Sequence, residues 1–235
     1  LCMVEFGIPL DLIGHEKPVL CAAFSHDGLF LATGSEDTNI FVWEISSGTY
    51  TKILRGHRGH VKSLSFSKER NLLASGSQDC SIKVWDYLNG TCILSYMFEK
   101  SITCVSFCDG KIALCMEGGK KLKFFDIEKN DISIRKVKKS SSYFTCICFS
   151  HCYKFIVSGH DDGTINIWRD QSKNIVRGIK GHNKSVNSVQ YSEDFKLICS
   201  SSNDKTIKIW ISMTLELLRT ISGEDYIFTA AFFSR

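Results

Sequence analysis

Hydrophobic positions along the chain fall into short runs divided by Gly, Ser, Asp and Asn, with no helical periodicity between them. One kind of run closes on an aromatic residue: NIFVW, SIKVW, KLKFF, TINIW and TIKIW end at Trp43, Trp85, Phe125, Trp168 and Trp210, separated by 42, 40, 43 and 42 residues. Upstream of four of these lie LATGSED (31–37), LLASGSQD (72–79), FIVSGHDD (155–162) and LICSSSND (197–204). The Gly, Ser and Asp between the two runs supply a tight turn, so each pair predicts a β-hairpin. A third kind of run begins at residues 19, 61, 102, 144, 186 and 228. Five places on stand Phe24, Phe66, Phe107, Phe149, Tyr191 and Phe233; two places on stand the small Cys21, Ser63, Cys104, Cys146, Ser188 and Ala230. Offsets of opposite parity point to opposite faces of a strand, so both faces are expected to be packed, the small side letting a neighbouring sheet come close. A fourth strand follows each closing aromatic, as in TYTKILR (49–55) and DISIRKV (131–137).

Four strands repeating near 42 residues describe the blade of a propeller. The Gly-His pairs 14–15, 56–57 and 181–182 and the dipeptide Trp85-Asp86 resemble WD-repeat signatures, and the resemblance covers the whole chain. It implies an all-β propeller of four-stranded antiparallel blades, with repeats near 14–55, 56–97, 98–138, 139–180 and 181–222 and partial units at 1–13 and 223–235. At a shift of 42, Leu1 falls on Trp43, so the first partial unit is expected to start at the end of a third strand. The last stops just after a first strand. About five and a half blades are expected, as a fragment of a six- or seven-bladed ring with an open edge.

The resemblance also implies a buried hydrogen-bonded tetrad in each blade, and the spacing supports it. The sets are His15, Thr33, Asp37 and Trp43; His57, Ser75, Asp79 and Trp85; and His182, Ser200, Asp204 and Trp210. In this relay the carboxylate accepts from the imidazole, the other ring nitrogen accepts the hydroxyl, and the hydroxyl oxygen receives the indole N–H. Ser, His and Asp together also make a catalytic triad. Three copies at one period favour a structural device instead. The third unit has Phe98, Cys115, Gly119 and Phe125 at the four places. The fourth keeps Ser158, Asp162 and Trp168, with Ser140 expected in place of the His.

Composition narrows the reading further. At 43% hydrophobic and 23% charged residues the chain is that of a globular protein, not a disordered one. No apolar run reaches the roughly 18 residues of a membrane span, and no basic start marks a secretory signal, so a cytoplasmic or nuclear location is expected. The eleven cysteines then read as reduced thiols. Cys146, Cys148, His151 and Cys152 include one zinc-like spacing, but Cys146 and Cys148 occupy small-residue strand positions, so no metal site is expected. No phosphate loop or nucleophile elbow is present, so neither cofactor nor enzymatic activity is expected.

The net charge of +4 is concentrated. Between Lys111 and Lys139 nine Lys or Arg, among them Lys120, Lys121, Lys123, Arg135, Lys136, Lys138 and Lys139, face four acids. This stretch supports an alternative function, contact with nucleic acid or phosphoinositide. A soluble edge is the simpler explanation. The leading expectation is a non-catalytic scaffold for protein–protein interaction. The family commonly binds proteins or peptides at the blade end carrying the loops that lead into the first strands and the turns between second and third strands. By position this implicates Lys17, Glu36, Arg58, Gln78, Asp161, Lys184 and Asn203. Adaptors of cullin-type ubiquitin ligases carry an Arg two residues after the Trp-Asp pair; here Leu88 stands there.

Overall fold

The computed structural model describes residues 2–5, 8–108, 110–129, 131–135, 142–150, 154–169, 175–192 and 194–223. Strands β1 (Cys2–Glu5) and β2 (Ile8–Asp11) pair antiparallel as a hairpin. Five four-stranded sheets follow, each in simple sequence order. Blade I contains β3 (Val19–Phe24), β4 (Phe30–Ser35), β5 (Ile40–Glu44) and β6 (Thr49–Leu54). Blade II contains β7 (Val61–Phe66), β8 (Leu72–Ser77), β9 (Ser81–Asp86) and β10 (Thr91–Met97). Blade III contains β11 (Ile102–Cys108), β12 (Lys111–Met116), β13 (Leu122–Asp126) and β14 (Asp131–Arg135). Blade IV contains β15 (Phe144–Phe149), β16 (Phe155–His160), β17 (Thr164–Arg169) and β18 (Ile175–Lys180). Blade V contains β19 (Val186–Tyr191), β20 (Leu197–Ser202), β21 (Thr206–Ile211) and β22 (Leu217–Ser222).

The chain divides into two compact units, 1–103 and 104–235, with the division inside β11. Within the first, Ile40, Val42 and Leu54 of blade I pack against Val61, Leu64, Phe66 and Trp85 of blade II. Within the second, Val157, Ile165 and Ile167 of blade IV pack against Val186, Val189 and Trp210 of blade V. Second strands are buried on both faces, from Leu31 to Ser35 and from Ile198 to Ser202, which explains their continuous run of small and apolar residues. The fourth strands β10, β18 and β22 are largely exposed, every residue of β22 included.

In blades I and IV the small residue of the first strand, Cys21 or Cys146, does sit at a close approach of the next sheet. The Cβ that Gly34 lacks would meet Val61 Cγ1 at 2.6 Å and Cys21 Sγ at 2.7 Å; at Gly159 the same clash would arise with Val186 Cγ1 and Cys146 Sγ, both at 2.6 Å. The large offset-five residue is buried in four blades, with Phe66, Phe107, Phe149 and Tyr191 at 5–7% exposure. Phe24 departs from this at 49% exposure. Phe66 meets Tyr87 of its own blade at 4.9 Å, and Tyr87 in turn meets Phe30 of blade I. Ile45 stands where Tyr87 does, so Phe24 has no such aromatic bridge. Phe233 lies outside the described residues.

Candidate functional site

The ends of the blades are built from polar residues that the hydrophobic core cannot hold in place. Each first strand is reached by a lead-in loop, and each second strand ends in a turn beside that loop. In blade I, His15 on the loop donates from Nδ1 to Asp37 Oδ2 on the turn over 2.7 Å. Thr33 Oγ1, on β4, lies 2.8 Å from His15 Nε2 and receives the Trp43 indole N–H at 2.8 Å. Blade II repeats the chain through His57–Asp79 at 2.9 Å, His57–Ser75 at 2.7 Å and Trp85–Ser75 at 2.8 Å. Blade V repeats it through His182–Asp204 at 2.9 Å, His182–Ser200 at 2.7 Å and Trp210–Ser200 at 2.8 Å. The aspartate does more than orient the imidazole. It also accepts a loop backbone N–H from Glu16, Arg58 or Asn183. A serine at the end of the second strand completes the tie, Ser35, Ser77 and Ser202 donating to the carbonyls of Lys17, Gly59 and Lys184.

These contacts set the electrostatics. Burial alone would raise Asp204, but bonds from Thr206, the Asn183 amide and His182 outweigh it and hold the carboxyl at about 2. Asp79 is held well below the ordinary carboxylate range against the same cost of burial, by His57, Ser81 and the Arg58 amide. The hydroxyls Thr33, Ser75 and Ser200 are fully buried. Each oxygen already receives an indole N–H and its proton faces an imidazole nitrogen. No substrate carbonyl has access to such a hydroxyl, which sets the arrangement apart from a triad.

Blade IV reaches a similar end by another route. His160, fully buried on β16, places Nε2 3.0 Å from Ser158 Oγ, which receives the Trp168 indole N–H at 2.7 Å. Asn166 Nδ2 donates to the same ring nitrogen at 3.0 Å, and Nδ1 lies 3.3 Å from Ser142 Oγ on the lead-in loop. His160 stands where Ser35, Ser77 and Ser202 stand in the other blades. Asp162, expected in the tetrad, turns its Oδ1 to the backbone N–H and hydroxyl of Thr164. The loop tie passes to Asp161, whose Oδ1 accepts the Tyr143 N–H at 2.8 Å. Ser140 lies outside the described residues. Burial pushes His160 down to about 4, against the pull of Asp162 and Asp161.

Among the described residues blade III has no counterpart. Cys115 and Phe125 are completely buried, and Gly119 Cβ would sit 2.8 Å from the Met116 carbonyl. Apolar contact replaces the relay there, consistent with the loss of all four polar members together.

Of the surface candidates, Lys17, Arg58, Gln78, Asp161 and Lys184 are exposed and Glu36 and Asn203 half-buried, each at the loop-and-turn end of its own blade. Asn203 Oδ1 accepts from Asn187 at 2.7 Å, so that position is already engaged. In the basic stretch, Lys120 and Lys121 are exposed between β12 and β13, with Lys120 Nζ 5.0 Å from the Tyr143 ring centre, while Lys123 is half-buried on β13. Arg135 closes β14, and Lys136, Lys138 and Lys139 lie outside the described residues. Cys148 is pushed up to about 11 and Cys146 higher still, both by burial, so each is a neutral thiol at pH 7. His151 and Cys152 lie outside the described residues. Among the described residues no three His, Cys, Asp or Glu are grouped to hold a metal ion, and no helix is long and apolar enough to cross a membrane.

Comparison with known proteins fits this geometry. The family model for the WD domain, G-beta repeat, matches residues 8–44, 48–86, 133–169 and 173–210. Its longest unmatched stretch, 87–132, contains most of blade III, where the described residues form no relay. A probable cytosolic Fe-S cluster assembly factor of Schizosaccharomyces japonicus is 54% identical over 33 residues, 14% of this chain and 5% of that protein. Apoptotic protease-activating factor 1 of Rattus norvegicus is 47% identical over 45 residues, 19% of this chain and 4% of that one. The chain thus spans a very small part of these relatives. Among solved structures, the β-propeller domain of Myceliophteria thermophila Cps50 (Swd1) superposes with a TM-score of 0.79 at 18% identity, covering 89% of this chain and 74% of that one.

Proposed function

The chain belongs to the WD-domain, G-beta repeat family, and from that premise we propose that it is a non-catalytic platform on which other proteins assemble, engaged through the loop-and-turn ends of its blades. One observation carries the reading. In blades I, II and V the polar relay ties the lead-in loop to the second turn by at least three bonds, so exposed side chains on both are held in place before a partner arrives. Preorganisation of this kind reduces the ordering cost of association. The hydroxyls that could do chemistry are buried behind those ties.

The test is partner capture by the folded chain with charge reversals at Lys17, Arg58 and Lys184. At least a tenfold loss of captured partner, at unchanged melting temperature, is expected. Capture that survives all three reversals would refute the assigned face. The nucleic-acid alternative rests on Lys136, Lys138 and Lys139 for its density of charge.

A further inference from the structure

Blade I carries an unusual set of side chains around its relay. Beside its relay is a cleft of about 450 Å³, lined among others by Glu16, Glu36, Phe41 and Tyr50. Strand register makes the comparison unambiguous. Phe41 is paired with Thr33 of the relay, Lys83 with Ser75 and Lys208 with Ser200. Tyr50 is paired with Trp43, Cys92 with Trp85 and Leu217 with Trp210. By their place in the loop and turn, Glu16 and Glu36 correspond to Arg58 and Gln78 in blade II and to Asn183 and Asn203 in blade V. The same four positions therefore read Glu, Glu, Phe, Tyr in blade I, Arg, Gln, Lys, Cys in blade II, and Asn, Asn, Lys, Leu in blade V.

Blade V shows what occupies this position when the chain supplies it. Lys208 Nζ lies 5.7 Å from the Trp210 ring centre and donates to the Gly181 carbonyl at 2.6 Å. In blade I that cation is replaced by Phe41, which stacks on Trp43 at 5.5 Å and meets Tyr50 edge-on at 5.1 Å. An aromatic pair and two carboxylates thus line a cleft in the blade whose strand carries Phe41 where blade V carries Lys208. Asp37 is already committed to His15, Glu16 N and Asn39 N, which leaves Glu16 and Glu36 as the carboxylates open to a newcomer. Lys17 and Arg55 also line the cleft, against the three carboxylates of Glu16, Glu36 and Asp37.

We propose that the blade I cleft receives a lysine or arginine side chain of a partner protein, its cationic head between Glu16 and Glu36 and its aliphatic stem over Phe41 and Tyr50. This rests on the platform reading and names the chemistry of one contact in it. The probes are three fluorescent peptides of equal length, rich in lysine, in arginine and in glutamate, titrated against the whole chain at low salt. The basic peptides are expected to bind and the acidic one not. E16Q/E36Q, which leaves the relay intact, is expected to weaken the basic peptides at least tenfold. F41K, which restores the chain's own ammonium, is expected to do the same; thermal melting shows whether it is folded. An N203A variant in blade V is expected to bind as the native chain does. Absence of basic-peptide binding, or binding unchanged in E16Q/E36Q, would overturn the proposal. A protein partner lost on charge reversal at Arg58 and Lys184 but kept in E16Q/E36Q would leave the platform standing and remove only this contact.

Discussion

Ser158 Oγ and His160 Nε2 lie 3.0 Å apart although the residues are two apart on one strand, where side chains share a face. The imidazole in blade IV therefore comes from the sheet and not from the loop. His160→Ala is expected to leave Ser158 and Asn166 with buried unmet groups and to lower stability by about 1–3 kcal/mol. Urea unfolding midpoints would check it, with His57→Ala and Asp79→Asn expected in the same range.

His160 also sets a pH dependence. Its folded value of about 4 lies below the ordinary 6.5, so the unfolded chain takes up the proton first. Stability is then fully present above pH 6.5 and is lost as pH falls toward 4, by about 3 kcal/mol in total. His182, lowered by burial, acts in the same direction. Asp204, held at about 2, adds a second loss as pH falls from 3.8 toward 2. Unfolding midpoints should hold from pH 8 to about 6.5 and then fall toward pH 4 in the native chain, and fall less steeply in His160→Gln.

Backbone strain is concentrated in the turns after the second strands. Thr38, Cys80 and Lys205 occupy the left-handed region at φ 72°, 67° and 67°, where blade IV has Gly163 at 88°. A β-branched residue is the least suited to it. Thr38→Gly is expected to raise stability by about 0.5–1 kcal/mol. Gly163→Ala, whose Cβ would run into the His182 carbonyl, is expected to cost about 1–3 kcal/mol.

The seam between blades I and II gives a coupled test. Gly34→Ala is expected to cost about 1–3 kcal/mol through the clash with Val61 and Cys21. Val61→Ala opens the same space, so the double variant should be more stable than the sum of the single losses allows, by at least about 0.5 kcal/mol in a double-mutant cycle.

The strands were legible because a 42-residue period repeats an alternation that only a two-faced sheet explains, and Cys21 and Cys146 mark the close approaches that Gly34 and Gly159 complete. The relays of blades I, II and V were legible in spacing alone. His160 is not, because the other units carry their imidazole on the loop, in Gly-His pairs. The available signal was its alignment with Ser35, Ser77 and Ser202. Phe24 shows the other limit. Parity says which face a side chain takes, but whether anything covers that face depends on residues such as Tyr87, far away in sequence. The blade I cleft was hidden for a related reason, since Glu16, Glu36, Phe41 and Tyr50 are unremarkable singly and meaningful only against their counterparts in the other blades.

Val61 opens one repeat and fills the hollow over Gly34 in the repeat before it, as Val186 does over Gly159. A blade is therefore not finished when its own four strands are made. As the chain leaves the ribosome, the sheets of blades I and IV would keep an unfilled hollow until Val61 or Val186 arrives, about half a dozen residues of lead-in loop later.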